Sequence, residues 1–132
     1  MLWFRMPTTP RPLPRTFQTK FFARQARKAR IGVEELRRIV REVAEGKAID
    51  LGGGVFKKRL QQNAYRSILL AKSADYWVLE FLFAKKDADT ITPAALDGFR
   101  TLATAYTNLK PAQLAQLLRT GEWEEMFHDD HP

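Results

Sequence analysis

Lys57 and Arg59 recur at alternate positions of one apolar run, and Arg66 and Lys85 follow at the start and end of the next two runs. If Gln62-Asn63 is a two-residue turn, Arg59 stands opposite Arg66. Strand alternation then brings Lys57, Arg59, Arg66, Phe81 and Lys85 to one side of a sheet, with Phe56 and Leu60 on the other. Like charges placed directly across a sheet are destabilising, so such a face implies an anion that compensates them. Cations of this kind, with a tyrosine nearby, suit metal-free phosphoryl transfer on RNA. There the 2′-hydroxyl is the nucleophile, a base takes its proton, and Lys or Arg stabilises the charge that develops on phosphorus.

Other chemistries find less support. The chain has no cysteine, which excludes disulfides, thiolate metal sites and thiol nucleophiles. No HExxH segment and no Ser/His/Asp set is apparent. His128 and His131, beside Asp129 and Asp130, read as an exposed terminus rather than a metal site. Leu51-Gly52-Gly53-Gly54 matches neither a dinucleotide fingerprint nor a phosphate-binding loop with Gly-Lys-Ser/Thr. It reads as a helix-to-strand hinge or a point of close backbone packing, with a phosphate-holding nest of amides as the sharper alternative.

A second group of cations lies on a helix. Thr19 is a suitable N-cap for residues 20–30, in which Phe21, Phe22, Ala26 and Ala29 share one arc and Lys20, Arg24, Arg27 and Lys28 the other. That polar arc contains no acid, and Lys20, Arg24 and Lys28 repel one another at i,i+4 spacing. Gly32 is expected to end this helix. Residues 33–45 form another, with an apolar stripe of Val33, Leu36, Ile39, Val40 and Val43, a polar face of mixed sign and Gly46 as its stop.

The period then changes to that of strands. Val55–Leu60, residues 64–72 and Tyr76–Ala84 are separated by Gln62-Asn63 and Ser73-Ala74 and predict an antiparallel meander. Helices return at Thr92-Pro93, with Leu96, Phe99, Leu102, Ala103 and Tyr106 as the core stripe, and at residues 111–119, which stop at Gly121. Four prolines among residues 7–14 mark residues 1–15 as an extended arm, and residues 121–132 read as an acidic flexible tail. Residues 16–132 are expected to form a single domain.

The 132 residues carry 22 Lys+Arg against 15 Asp+Glu, a net charge of +7. The surplus is lopsided: residues 1–66 hold 16 basic and 5 acidic side chains, residues 67–132 hold 6 and 10. Such an imbalance points to a polyanionic partner, nucleic acid before membrane. No apolar run approaches the roughly 20 residues of a membrane span, and no signal peptide is evident, so a cytoplasmic protein is expected.

Taken in order, Phe17-x-Thr19-Lys20-x-Phe22-Ala23-Arg24-x-Ala26-Arg27-Lys28, Leu51-Gly52-Gly53-Gly54-Val55-x-Lys57-x-Arg59, Tyr65-Arg66, Phe83-Ala84-Lys85 and Gly121-Glu122 resemble the RelE/HigB-type toxins of bacterial type II toxin–antitoxin modules. The resemblance spans roughly residues 16–126. It departs from the family pattern in a short connector before Tyr65 and in Leu82, where a glycine is usual.

The resemblance implies an α+β RelE/ParE-like fold: two N-terminal helices packed on a small antiparallel sheet, basic residues on the open face, and C-terminal helices. It implies a toxin that cleaves messenger RNA on the ribosome without metal or cofactor. A cognate helix-turn-helix, HigA-like antitoxin would be its partner, and operator DNA would be met only through their complex. Carried over by position, Lys57, Arg59, Arg66 and Lys85 would hold the scissile phosphate. Tyr65 would stack on a base or accept a proton, and Lys20, Arg24, Arg27 and Lys28 would grip the RNA backbone. A ParE-like gyrase inhibitor shares the scaffold, and a non-catalytic nucleic-acid-binding module or decayed toxin is the alternative from another class.

Overall fold

A computed structural model describes residues 14–72, 76–88 and 90–127. Its elements are β1 (Arg15–Thr19), α1 (Lys20–Lys28), α2 (Val33–Ala44), β2 (Ile49–Gly52), β3 (Val55–Leu60), β4 (Tyr65–Lys72), β5 (Tyr76–Ala84), α3 (Pro93–Thr107), α4 (Pro111–Thr120) and β6 (Trp123–Met126). The strands form one six-stranded sheet in the order β2-β3-β4-β5-β1-β6.

The expected meander is there. β3, β4 and β5 run antiparallel in sequence order, and Arg59 pairs with Arg66 as the two-residue turn requires. The Ala64 amide donates to the Gln61 carbonyl at 3.0 Å, and the central residues Gln62 and Asn63 have positive φ, the hand that matches strand twist. Gln61 is left-handed as well, held by its amide and side chain donating to Glu35 of α2 at 2.8 and 3.0 Å.

Three strands were not foreseen. β1 begins at Arg15, inside the stretch read as an arm, and pairs in parallel with β5; β6 lies in the stretch read as a flexible tail and pairs antiparallel with β1. The sheet is therefore mixed rather than antiparallel, and α1 and α2 follow a strand rather than opening the domain. β2 precedes the glycines, which join two strands and not a helix to a strand. Residues 1–13, the Ser73-Ala74 connector and the tail histidines lie outside the described residues.

Alternation splits the core in two. On one face Leu60, Leu69, Leu79 and Leu82 pack with Phe22 and Ala26 of α1 and with Leu36, Ile39, Val40 and Val43 of α2. On the other face Val55, Ile68, Leu70 and Val78 pack with Phe17 and Trp123, under Phe99, Ala103 and Tyr106 of α3 and Leu114 and Leu118 of α4. The second face, expected to be open, is thus covered in part by the C-terminal helices.

The helix ends follow local chemistry. The Thr19 hydroxyl accepts from the Phe22 amide at 3.0 Å, capping α1 as expected. α1 ends through Arg30 in the left-handed region (φ +58), with Ile31 N–H bonded to Ala26 carbonyl; Gly32 instead caps the start of α2. Thr92 caps α3 through the Ala95 amide at 3.1 Å.

Candidate nucleic-acid interface

α1 buries Phe22, Ala23 and Ala26 and leaves Lys20, Arg24, Arg27 and Lys28 exposed. None of these four is paired with a carboxylate among the described residues. The contrast with α2 is direct. There Arg37 pairs with Glu34 at 3.7 Å, and Arg38 with Glu35 at 3.5 Å and Glu42 at 3.1 Å. Phe21, placed on the apolar arc by sequence, is 37% exposed.

Lys57, Arg59 and Arg66 share the face that carries α3, as the register requires. Arg59 is exposed and Lys57 half-buried, and both line a groove of about 190 Å³ with Lys47, Ile49 and Lys58. Arg66 differs: it is 1% exposed, and its Nη1 donates to the carbonyls of Asn63 at 2.9 Å and Tyr65 at 3.3 Å. Its guanidinium braces the turn of its own hairpin. Lys85, just past β5, is exposed, and its amide donates to the Ala64 carbonyl at 2.9 Å.

Tyr65 pairs with Leu60 and Ala84 and packs beside the α1/α2 core, on the opposite side of the sheet from Arg59. It lines a cleft of about 310 Å³ that also takes in Lys28 of α1. The candidate residues thus fall into a basic groove around Lys57 and Arg59, a cleft holding Tyr65 and Lys28, and the free face of α1.

Sequence reasoning missed Lys47 and Lys58 in the groove. Lys58 Nζ sits 2.8 Å from both the Lys47 carbonyl and Glu42 Oε1, and these contacts, Lys58 before Arg38, hold the Glu42 carboxyl below its ordinary range. The missing signal was β2, a strand of four residues containing Asp50, too short and polar to show a period. Arg100 of α3 was also missed. It lies over the glycine loop, donating to the Leu51 carbonyl and, at 3.4 Å, to the Gly52 carbonyl. Gly52, Gly53 and Gly54 all have positive φ, and a Cβ at Gly54 would come within 3.3 Å of the Ala71 carbonyl oxygen, so the loop is a point of close backbone packing.

Glu80 and Tyr106 are the most perturbed titratable pair. Burial raises the Glu80 carboxyl, opposed by the Tyr106 hydroxyl that donates to it at 2.7 Å. Burial, then the Glu80 charge, raises the Tyr106 phenol. This contact ties α3 to β5 on the packed side of the sheet.

Among the described residues no group of three or more His, Asp or Glu is placed to hold a metal, and no helix is long and apolar enough to cross a membrane. A family model described as the RelE toxin of the RelE/RelB toxin–antitoxin system matches residues 14–126. No curated protein matches the chain.

Proposed function

The chain belongs to the family of RelE toxins of RelE/RelB toxin–antitoxin systems, and on that premise we propose that it is a metal-independent endoribonuclease that cleaves ribosome-associated messenger RNA in the cytoplasm. A cognate HigA-like, helix-turn-helix antitoxin restrains it, and operator DNA is contacted only by the complex of the two. The observation that carries this reading is the set of exposed cations on α1, unpaired among the described residues, where α2 pairs Arg37 and Arg38 with its own carboxylates. A charge surplus left without internal partners is the footprint of a phosphate backbone.

In the proposed reaction the RNA 2′-oxygen forms a bond to phosphorus while the bond to the 5′-oxygen breaks. The proton lost by the attacking hydroxyl is matched by one gained on the leaving oxygen. Lys57 and Arg59 stabilise the charge on the phosphorane, with Lys85 as a further cation. Arg66 acts on the site by holding the hairpin that carries Arg59. Tyr65, on the other side of the sheet, is assigned to stacking on a base rather than to proton transfer. Lys20, Arg24, Arg27 and Lys28 hold the backbone.

Expression in bacteria without antitoxin tests the reading. Growth arrest with cleaved transcripts supports it. Arrest with intact transcripts and a DNA-damage response would instead indicate gyrase poisoning, and growth without arrest would remove the toxin activity.

A further inference from the structure

Beyond Glu80, β5 has lost its neighbour on one side. β1 makes its last pair, Gln18 with Leu79, and the Thr19 hydroxyl donates to the Glu80 carbonyl at 3.1 Å before the chain turns into α1. Residues 81–84 therefore present a sheet edge with no strand beside it among the described residues, and α1 runs past this edge. Between them lies the cleft of about 310 Å³.

Its aromatic wall is a stack with a free end. Phe99 of α3 packs on Phe81 at 5.7 Å between centroids, and Phe81 stacks on Phe21 at 5.1 Å with the rings 5° from parallel. Phe21 is the last member and is exposed. A parallel stack that stops at an exposed ring is suited to being continued by another flat ring. Gln25 and Lys28 follow Phe21 at i+4 and i+7 on the same side of α1, and Lys86 stands across the cleft. Neither lysine is paired with a carboxylate among the described residues.

We propose that this cleft is a second RNA subsite, which takes one unpaired base of the bound strand on the Phe21 ring, with Lys28 and Lys86 flanking its phosphates. The proposal rests on the ribonuclease reading above and adds to it a base contact on the far side of the sheet edge from the Lys57–Arg59 groove. Charge favours RNA over a peptide here, because Lys28 and Lys86 outnumber Asp87 on the cleft's lining and the basic face of α1 leads into it. Space does too: a strand added to β5 needs a clear edge, and α1 occupies it with Phe21 against Phe81. The amide of Gln25 is the group positioned to read the edge of the base.

The test uses the full chain and a short unstructured RNA carrying 2′-deoxy sugars so that it is bound but not cut. Phe21→Ala is expected to weaken binding roughly 5- to 150-fold, the span of one base–aromatic stack, and Phe21→Trp to restore it with quenching of the new indole on RNA addition. The same RNA with abasic sites should bind the parent protein at least as weakly as the normal RNA binds Phe21→Ala, because it also lacks the base assigned to Tyr65. Arg59→Ala keeps the two readings distinguishable. Loss of cleavage in Arg59→Ala, with the Phe21→Trp signal intact in the double variant, supports both. Cleavage and binding unaffected by Phe21→Ala, with no quenching in Phe21→Trp, overturns the subsite and leaves the ribonuclease standing. Equal affinity for normal and abasic RNA also overturns the subsite. A protein that neither binds nor cuts RNA removes both.

Discussion

Arg59 and Arg66 face each other across β3 and β4, yet one is exposed and the other is 1% exposed. Substituting them therefore has opposite signatures. Arg59→Ala should abolish transcript cleavage and change unfolding free energy by less than about 0.5 kcal/mol, as exposed positions do. Arg66→Ala strips the Asn63 and Tyr65 carbonyls of a charged donor and leaves a void, and should lower stability by on the order of 3 kcal/mol. Denaturant unfolding beside transcript cleavage separates the two. Alternation alone puts both arginines on one face; that one of them braces its own turn depends on packing over the hairpin, for which a sequence has no periodic signal. Glu80 supplies a second residue-level expectation. Its carboxyl is raised in the fold, chiefly by burial, so the unfolded chain binds fewer protons than the native one as the pH climbs above the ordinary carboxylate range. Its contribution to stability is full at acid pH and is lost as pH rises through its elevated folded pKa. Glu80→Gln keeps an acceptor for Tyr106 and should flatten that slope when unfolding is measured from pH 4 to 8; an unchanged slope would assign it to other groups.

The elements that sequence revealed are those with long, regular patterns. β3 and β5 carry the ranges read from alternation, and Thr19 and Thr92 cap the helices they were expected to cap. β1 and β6 were hidden for a physical reason: five and four residues of mixed polarity become strands only because β5 offers β1 an edge and β1 in turn offers one to β6, each partner far away in the sequence. The glycine loop was legible as an oddity, but its partner was not. A Cβ at Gly53 would sit 2.8 Å from Arg100 Cγ on a backbone of φ +67. Gly53→Ala should cost about 1–3 kcal/mol in thermal or chemical unfolding. Pairing it with Arg100→Ala should recover the steric part and leave the left-handed penalty, so a fully additive double variant would show that Arg100 does not press on the loop.

For the molecule as a whole, the uneven charge resolves into surfaces. The acidic side chains of α2 pair with Arg37 and Arg38 and, through Glu42, with Lys58 of the groove, while the four cations of α1 and Lys57 and Arg59 have no carboxylate partner among the described residues. If six cations, Lys20, Arg24, Arg27, Lys28, Lys57 and Arg59, each meet a phosphate, log affinity for single-stranded RNA should fall with log salt at a slope of about −4. Replacing the four α1 cations with alanine should reduce that slope by about 3, measured by titration across salt concentrations. An unaltered slope would put the RNA elsewhere.

The strand order also sets a schedule. β1 is made before the other described elements, yet one of its two flanks is β6, and the α1/α2 core is closed by Met126 and Phe127. A nascent chain that has already displayed its cations and its meander therefore still has a bare edge along β1, until residues 123–127 clear the exit tunnel. Completion of the sheet along β1 thus waits on residues made more than a hundred positions after it.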